Sequence, residues 1–250
     1  MSVEKAIRHL ATYGYCVLED RIPAERAQRM ANKYLELHND PADSSSSVSS
    51  SHYQTVFGIL NLDDMAWACA TCPEVLAVAR HFLGERIRIV SGGCSKVTYP
   101  GAQDQSLHVD SAGLFLEVPN IPWLINSIWM LTDFTVENGA TGVVPMSHLS
   151  RRNHPPNGMG PEHPLVKPVT GRAGSVLMWH SGLFHAARAN QSNQIRVGLN
   201  MGYYPRWFNN WMMGGHQPIW PETYERMPPE MKALCPGRLA KNRADLYENP

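Results

Sequence analysis

A histidine and an aspartate two positions apart, His108 and Asp110, are residues of this chain that could do chemistry together. In an extended strand, two side chains at this spacing point to the same face. An imidazole and a carboxylate side by side supply two members of a 2-His-1-carboxylate triad, the ligand set typical of non-haem Fe(II) oxygenases. The pair alone is weak evidence, because short motifs of this kind also arise by chance.

Two later histidines could supply the third ligand, His180 and His185. His180 ends a predicted strand, where it could have a structural role. His185 follows a turn at Gly182, from which a side chain can point into the mouth of a β-barrel. We favour His185, and the chain that follows it supports this choice.

Arg196 lies eleven residues beyond His185 on the next predicted strand. There it shares one face with Gly198, Asn200 and Gly202, and a charged group that points inward needs a buried anion. Arginine can clamp a carboxylate with two parallel hydrogen bonds, so a dicarboxylate co-substrate that chelates iron at its other end would fit. The alternative is a structural ion pair with an internal acid such as Asp133.

The composition is that of an ordinary globular protein, with 43% hydrophobic and 18% charged residues and a formal net charge of zero. The balance of charge argues against nucleic acid or an anionic membrane as a partner. The sequence shows neither a secretory signal nor an apolar stretch long enough to cross a membrane, and we expect a cytoplasmic protein with reduced thiols. Cys69 and Cys72 have CxxC spacing but no second pair, and we interpret them as two thiols near the end of a helix.

Hydrophobic periodicity predicts a single domain over 1–250, with a mainly helical flank at 1–85, a β core at 86–205 and a C-terminal cover at 206–250. Helices are predicted at 3–13, 23–38, 62–70, 73–83 and 228–235. Strands are predicted at 15–18, 86–90, 93–99, 127–134, 142–146, 174–180 and 194–204, with an Asn-Gly hairpin signal at 138–139. Many short strands with helices ahead of them favour an α+β fold, mainly β, with a closed or sandwich-like core. The Ser-rich segment 41–52 is predicted to be a mobile loop that could serve as a lid.

The chain resembles the phytanoyl-CoA dioxygenase family of Fe(II)/2-oxoglutarate-dependent oxygenases over most of its length. The block from Trp129 is the most family-specific part of the resemblance. The resemblance rests on these motifs: Gly14-Tyr-Cys-Val-Leu18, Gln105-Ser-Leu-His-Val-Asp110, Trp129-Met-Leu-Thr-Asp-Phe-Thr-Val-Glu-Asn-Gly-Ala-Thr-Gly-Val-Val-Pro-Met-Ser-His148, Gly174-Ser-Val-Leu-Met-Trp-His-Ser-Gly-Leu-Phe-His185, and Ala189-Asn190 leading to Arg196 and Asn200.

The resemblance implies a double-stranded β-helix core, also called a jelly roll and similar to the cupin fold. It further implies iron held by His108, Asp110 and His185, with 2-oxoglutarate bound by Arg196 and by a smaller contact from Ser127. In this family, the residue two before the first ligand histidine and the residue two after the distal one often add polar contacts. Here Ser106 could make such a contact, whereas Ala187 cannot. The carboxylate at Asp110 indicates an oxygenase of the hydroxylase type rather than a halogenase.

The implied reaction uses Fe(II), 2-oxoglutarate and O2 to hydroxylate, desaturate or cyclise an unactivated C–H position, with release of succinate and CO2. We expect a small-molecule substrate, a secondary metabolite, and a monomer or homodimer; no basic cluster larger than Arg151 and Arg152 suggests a CoA-linked substrate. Loop 111–125 could line the substrate site, and Trp207, Phe208, Trp211 and Met213 could cover it. Two alternatives stay open: a cupin-like metal enzyme that does not use 2-oxoglutarate, and a non-catalytic barrel that binds a small ligand.

Overall fold

Ten strands and seven α-helices make up the computed structural model, which describes residues 1–39, 47–49, 52–110, 122–207 and 219–235. The helices are α1 Val3–Tyr13, α2 Ala24–Asn39, α3 Ile59–Leu62, α4 Met65–Ala70, α5 Pro73–Leu83, α6 Pro221–Arg226 and α7 Pro229–Leu234, and a 3-10 helix spans Ser147–Ser150. The strands are β1 Tyr15–Leu18, β2 Ser47–Ser49, β3 Tyr53–Val56, β4 Ile87–Thr98, β5 Ile125–Met130, β6 Gly142–Val143, β7 Lys167–Pro168, β8 Val176–His180, β9 His185–Ala186 and β10 Arg196–Pro205.

Two antiparallel sheets form the β core. The larger has the order β1-β8-β5-β10-β4-β3-β2 and the smaller the order β7-β6-β9. Helices flank these sheets, so the predicted mainly β jelly-roll core with flanking helices is confirmed, as two open sheets rather than a closed barrel.

The helices pack on one side of the larger sheet because their apolar faces and the alternating apolar residues of β10 bury each other. Leu10 of α1 and Met30 of α2 belong to the same buried cluster as Val197, Leu199 and Met201 of β10. Alternation along a strand then points the other residues of β10 to the opposite face of the sheet. That opposite face carries the candidate site.

The predicted start of the chain agrees with the structure. Helix α1 ends at Gly14, whose positive φ of 85° suits a residue without a side chain, and β1 follows at once. The helix predicted at 62–70 is instead two short helices, α3 and α4. They separate at Asp63, whose carboxylate accepts a hydrogen bond from the backbone N–H of Met65 and so begins a new turn.

Three β predictions need correction. The strands predicted at 86–90 and 93–99 form one strand, β4, whose register with β10 shifts between Asn200 and Gly202. The turn at 138–139 exists, but it joins β5 of the larger sheet to β6 of the smaller one and is therefore not a hairpin. Within the predicted loop 41–52, Ser47–Ser49 is strand β2, which pairs with β3; most of that loop lies outside the described residues.

Candidate metal centre and co-substrate site

His108, Asp110 and His185 come together although 77 positions separate the two histidines in the chain. One potential ligand atom from each residue lies within 4.8 Å of the other two. The histidines form an isolated antiparallel bridge, in which His108 N donates to His185 O at 3.0 Å and His185 N donates to His108 O at 2.9 Å. The segment around His108 is therefore held by this bridge and is not the regular strand that its sequence suggests.

Each imidazole is oriented by a backbone carbonyl. The Nδ1 of His108 is 2.8 Å from the carbonyl oxygen of Ser106, and the Nδ1 of His185 is 2.9 Å from that of Leu183. A carbonyl can only accept, so Nδ1 carries the proton in each ring and Nε2 keeps its lone pair. Both rings thus offer Nε2 to a metal, with the kind of outer hydrogen bond that orients metal-bound histidines.

The carboxylate of Asp110 is held through one oxygen. Its Oδ2 accepts a hydrogen bond from Trp179 Nε1 at 2.7 Å and another from Asn126 Nδ2 at 3.2 Å. Its Oδ1 lies 3.5 Å from His185 Nε2. The second oxygen is therefore the one that faces the imidazoles, and the three side chains fit a divalent cation bound by two nitrogens and one oxygen.

The charges around the triad shift the pKa values in a consistent way. Burial opposes ionisation of Asp110, but His185 and His108 outweigh it and lower the pKa of the carboxyl. Burial also favours neutral His185, but the nearby Asp110 carboxylate raises the pKa of that ring. Burial, His185 and Lys96 lower the pKa of His108, so this ring is neutral near pH 7 and ready to bind a metal.

Arg196 is 2% exposed, and the described residues give its positive charge no negative partner. Its terminal nitrogen donates to Thr98 Oγ1 at 2.9 Å, its guanidinium carbon lies 4.6 Å from the ring centre of Phe134, and its Nε has no partner among the described residues. No carboxylate of the described part of the chain is within ion-pairing distance. The predicted alternative, Asp133, accepts from the backbone N–H of Ala173 instead. A buried cation without an anion is the feature expected of a carboxylate-binding site.

The metal triad and Arg196 face one cavity of about 530 Å³. Ser106, which was predicted as a possible polar contact, lies on the cavity wall; Ala187 also lies there but adds no polar group. The cavity is lined by Tyr53, Gln54, Thr55, Lys96, Val97, Thr98, Gln105, Ser106, His108, Asp110, Asn126, Ile128, Thr141, Trp179, His185, Ala187, Arg196 and Asn200.

Two candidate residues lie elsewhere. Ser127 is fully buried and donates to the carbonyl of Met201 at 2.8 Å, while its neighbours Asn126 and Ile128 line the cavity. Strand alternation explains this arrangement, since β5 turns every second side chain to the cavity. His180 is also not among the lining residues; its ring lies 5.0 Å from that of His148.

The substrate wall and cover were predicted from segments that are only partly described. Trp123 and Trp207 contact each other with ring centres 5.5 Å apart, and neither is among the residues that line the cavity. Most of loop 111–125, together with Phe208, Trp211 and Met213, lies outside the described residues.

Sequence reasoning missed several residues of the site, among them Trp179, Asn126, Lys96 and Thr98. Each lies on a predicted strand or at its edge, but its partner is far away in the chain. Trp179 precedes His180 in a strongly apolar run, which predicts burial and gives no sign of a hydrogen bond to Asp110. Only the alternation along β4, β5 and β8 could have indicated which residues share the face of the triad.

Residues 10–198 match the family model for phytanoyl-CoA dioxygenase (PhyH). This match covers most of the chain and includes the triad and Arg196. The chain therefore belongs to the phytanoyl-CoA dioxygenase family.

Relatives of known name include fungal dioxygenases. The chain is 31% identical over 163 residues to dioxygenase andF of Emericella variicolor, and the matched region covers 64% of this chain and 54% of that protein. It is 33% identical over 147 residues to dioxygenase trt7 of Aspergillus terreus, with 57% and 49% covered. The chain thus spans about half the length of the relatives it matches.

Solved structures share the fold at low sequence identity. HygX from Streptomyces hygroscopicus, a structure with nickel, 2-oxoglutarate and hygromycin B bound, is 16% identical with a TM-score of 0.66, covering 83% of this chain and 89% of that one. SnoK, a non-heme alpha ketoglutarate dependent carbocyclase from nogalamycin biosynthesis, is 21% identical with a TM-score of 0.65, covering 82% and 86%. At these identities the likeness supports the jelly-roll architecture alone.

Two further features bear on the setting of the protein. The part of the chain that the structure describes has no helix with the length and apolar character needed to cross a membrane. All five cysteines are free and buried, and burial raises the pKa of both Cys69 and Cys72.

Proposed function

We propose that this protein is an Fe(II)/2-oxoglutarate-dependent dioxygenase that oxidises a C–H bond of a small molecule and releases succinate and CO2. One observation supports this proposal: a single cavity is lined both by a possible metal triad and by a buried arginine that has no anionic partner among the described residues. A metal enzyme that does not use 2-oxoglutarate leaves Arg196 without a role, and a simple ligand-binding barrel leaves the metal triad without one.

The residues divide the work as follows. The Nε2 atoms of His108 and His185 and one oxygen of Asp110 would hold the metal. When bound, iron at such a site supplies O2 activation and the oxidation that is coupled to decarboxylation of 2-oxoglutarate. Arg196 and Thr98 would bind the far carboxylate of the co-substrate and so fix its direction in the cavity.

Trp179 and Asn126 keep Asp110 in one orientation. Because both donate to Oδ2, the carboxylate can offer Oδ1 to the metal without rotating. The acid itself distinguishes the site from one that leaves an iron position free for a halide, so we infer hydroxylation, desaturation or cyclisation as the outcome. The low exposure of His185 and Arg196 limits access of bulk water.

For the substrate, we infer a secondary metabolite. Two of the proteins with the same fold are described with hygromycin B bound or as part of nogalamycin biosynthesis. The buried free thiols favour a reducing compartment such as the cytoplasm. We infer that the protein works as a monomer or homodimer, with O2 and 2-oxoglutarate as co-substrates.

The test is succinate formation by the purified protein with Fe(II), 2-oxoglutarate and O2. Even without its substrate, the wild-type protein should convert 2-oxoglutarate slowly, and omission of any one component should stop it. His108→Ala should abolish this turnover, whereas His154→Ala, a change at an exposed histidine, should retain it. Metal binding by a wild-type protein that forms no succinate would contradict the proposal and favour a metal enzyme that does not use 2-oxoglutarate.

A further inference from the structure

A second cation lines the cavity, and the proposed reaction does not use it. Lys96 lies on β4 two residues before Thr98, so its side chain points to the same face as the hydroxyl that contacts Arg196. The register of the antiparallel pair β3 and β4 places Thr55 of β3 opposite Lys96, because Gln54 pairs with Val97 and Tyr53 pairs with Thr98. Lys96 therefore occupies a defined position on the wall, beside β3 and next to Thr98 along the same face of β4.

The ammonium group of Lys96 has weak partners. Its Nζ is 3.3 Å from Thr55 Oγ1 and 5.9 Å from the ring centre of Phe57. No carboxylate of the described residues is within ion-pairing distance of it. Thr55 is 9% exposed and also lines the cavity.

The formal charges of the cavity do not balance without another anion. Among the described residues that line it, Asp110 is the single carboxylate, and Lys96 and Arg196 are the two fixed cations. A divalent metal together with these two cations exceeds the combined charge of Asp110 and a 2-oxoglutarate dianion by one positive charge. An excess of positive charge in the cavity favours an anionic ligand.

We propose that Lys96 and Thr55 form a subsite for a carboxylate group of the substrate, separate from the arginine that binds the co-substrate. The proposal rests on the proposed function, because it assigns the remaining anion to the molecule that is oxidised. Thr55 can donate its hydroxyl to one carboxylate oxygen while Lys96 supplies the charge. The substrate class that follows is a small molecule with a free carboxylate, held with that group at the β3–β4 side of the cavity.

The experiment uses the protein loaded with Ni(II) and 2-oxoglutarate, in which no turnover occurs, and titrates it with benzoate by calorimetry. Benzamide, which has the same shape without the charge, is the matched probe. Lys96→Met removes the ammonium group and keeps much of the stem, and Lys96→Arg restores a cation. Lys167→Met, at an exposed lysine that contacts the carbonyl of Pro164, controls for the loss of one positive charge.

Benzoate should bind the wild-type protein and Lys167→Met with equal affinity. Its affinity for Lys96→Met should be lower by roughly tenfold or more, and Lys96→Arg should restore it. Benzamide should show no dependence on Lys96. Unfolding by urea should show that Lys96→Met is folded. The proposal is overturned if benzoate does not bind the wild-type protein, or if Lys96→Met leaves its affinity unchanged.

A second titration separates the two possible sources of the carboxylate. The affinity of Ni(II)-loaded Lys96→Met for 2-oxoglutarate should equal that of the wild-type protein within about twofold, since Arg196 is intact. A tenfold loss would assign Lys96 to the co-substrate and overturn the substrate assignment. Failure of the wild-type protein itself to bind 2-oxoglutarate would instead refute the proposed function.

Discussion

Arg196→Met should separate the stability of the protein from its ability to bind 2-oxoglutarate. Burial lowers the pKa of Arg196 from 12.5 to about 10, so the guanidinium stays charged near neutral pH but at a free-energy cost relative to the unfolded chain. At about 1.4 kcal/mol per pKa unit, keeping this charge buried costs roughly 3 kcal/mol at neutral pH. The substitution removes this cost from the ligand-free protein.

The contacts that the substitution removes are of similar size. A hydrogen bond from a charged donor, here to Thr98, contributes about 1.5 kcal/mol, and the stacking on Phe134 about 1 kcal/mol. The free energy of unfolding of the ligand-free protein should therefore change by less than about 1 kcal/mol. Breaking a buried ion pair, in contrast, costs about 3–5 kcal/mol. Binding of 2-oxoglutarate should weaken about a hundredfold or more, because a buried carboxylate would lose its partner.

Urea unfolding with Ni(II), in the presence and absence of 2-oxoglutarate, measures both quantities. At a concentration of about 100 times its dissociation constant, 2-oxoglutarate should stabilise the wild-type protein by about 2.7 kcal/mol and leave Arg196→Met almost unchanged. Arg172→Met, at a side chain that is 82% exposed, is the matched control and should behave as the wild-type protein. A loss of 3–5 kcal/mol in ligand-free Arg196→Met would show that the guanidinium is paired and would refute the reasoning.

Three further predictions concern the metal and the fold. Asn126→Leu removes a hydrogen bond to the carboxylate ligand and should weaken Co(II) binding about tenfold, as followed by its visible absorption. Because the pKa of His185 is raised and that of His108 is lowered, the affinity for Co(II) should fall first as the pH drops through the pKa of His185 and fall further through that of His108; titration with Co(II) at several pH values, followed by visible absorption, measures this dependence. Gly139→Ala should lower the free energy of unfolding by roughly 2–4 kcal/mol, because at φ +83° the new Cβ would lie 2.2 Å from a backbone oxygen. Gly158→Ala, at φ +80° with open space around the new Cβ, should lower it by only about 1 kcal/mol, and urea unfolding measures both.

The parts of the site that sequence reasoning placed well depend on local rules. A spacing of two predicts that His108 and Asp110 share a direction, and the turn at Gly182 favoured His185 over His180 as the third ligand. Alternation along β10 likewise predicts an inward-pointing Arg196. These inferences need only the geometry of a strand and a turn, and so they can be made without the pairing of the strands.

The parts that sequence reasoning could not place depend on pairing between distant segments. The assignment of a co-substrate contact to Ser127 required the register of β5 with β10, and the cavity-facing residues are its neighbours Asn126 and Ile128. β3 adds to the edge of β4, and this pairing brings Thr55 beside Lys96; nothing in the local sequence of either strand predicts it. The bridge between His108 and His185 is similar, because its hydrogen bonds join strand β9 to a segment 77 positions earlier in the chain.

Strand β10 explains how the hydrophobic core fixes a charge that is unfavourable in the ligand-free protein. Val197 and Leu199 are fully buried in the core, and Arg196 pairs in register with Thr98, its hydrogen-bond partner. A slip of one residue would turn the valine into the cavity and the guanidinium into the core, which is far more costly than the roughly 3 kcal/mol needed to keep the charge in place. Core packing therefore holds Arg196 in its position in the ligand-free protein, and in the proposed function part of the energy of co-substrate binding would come from relieving the buried charge.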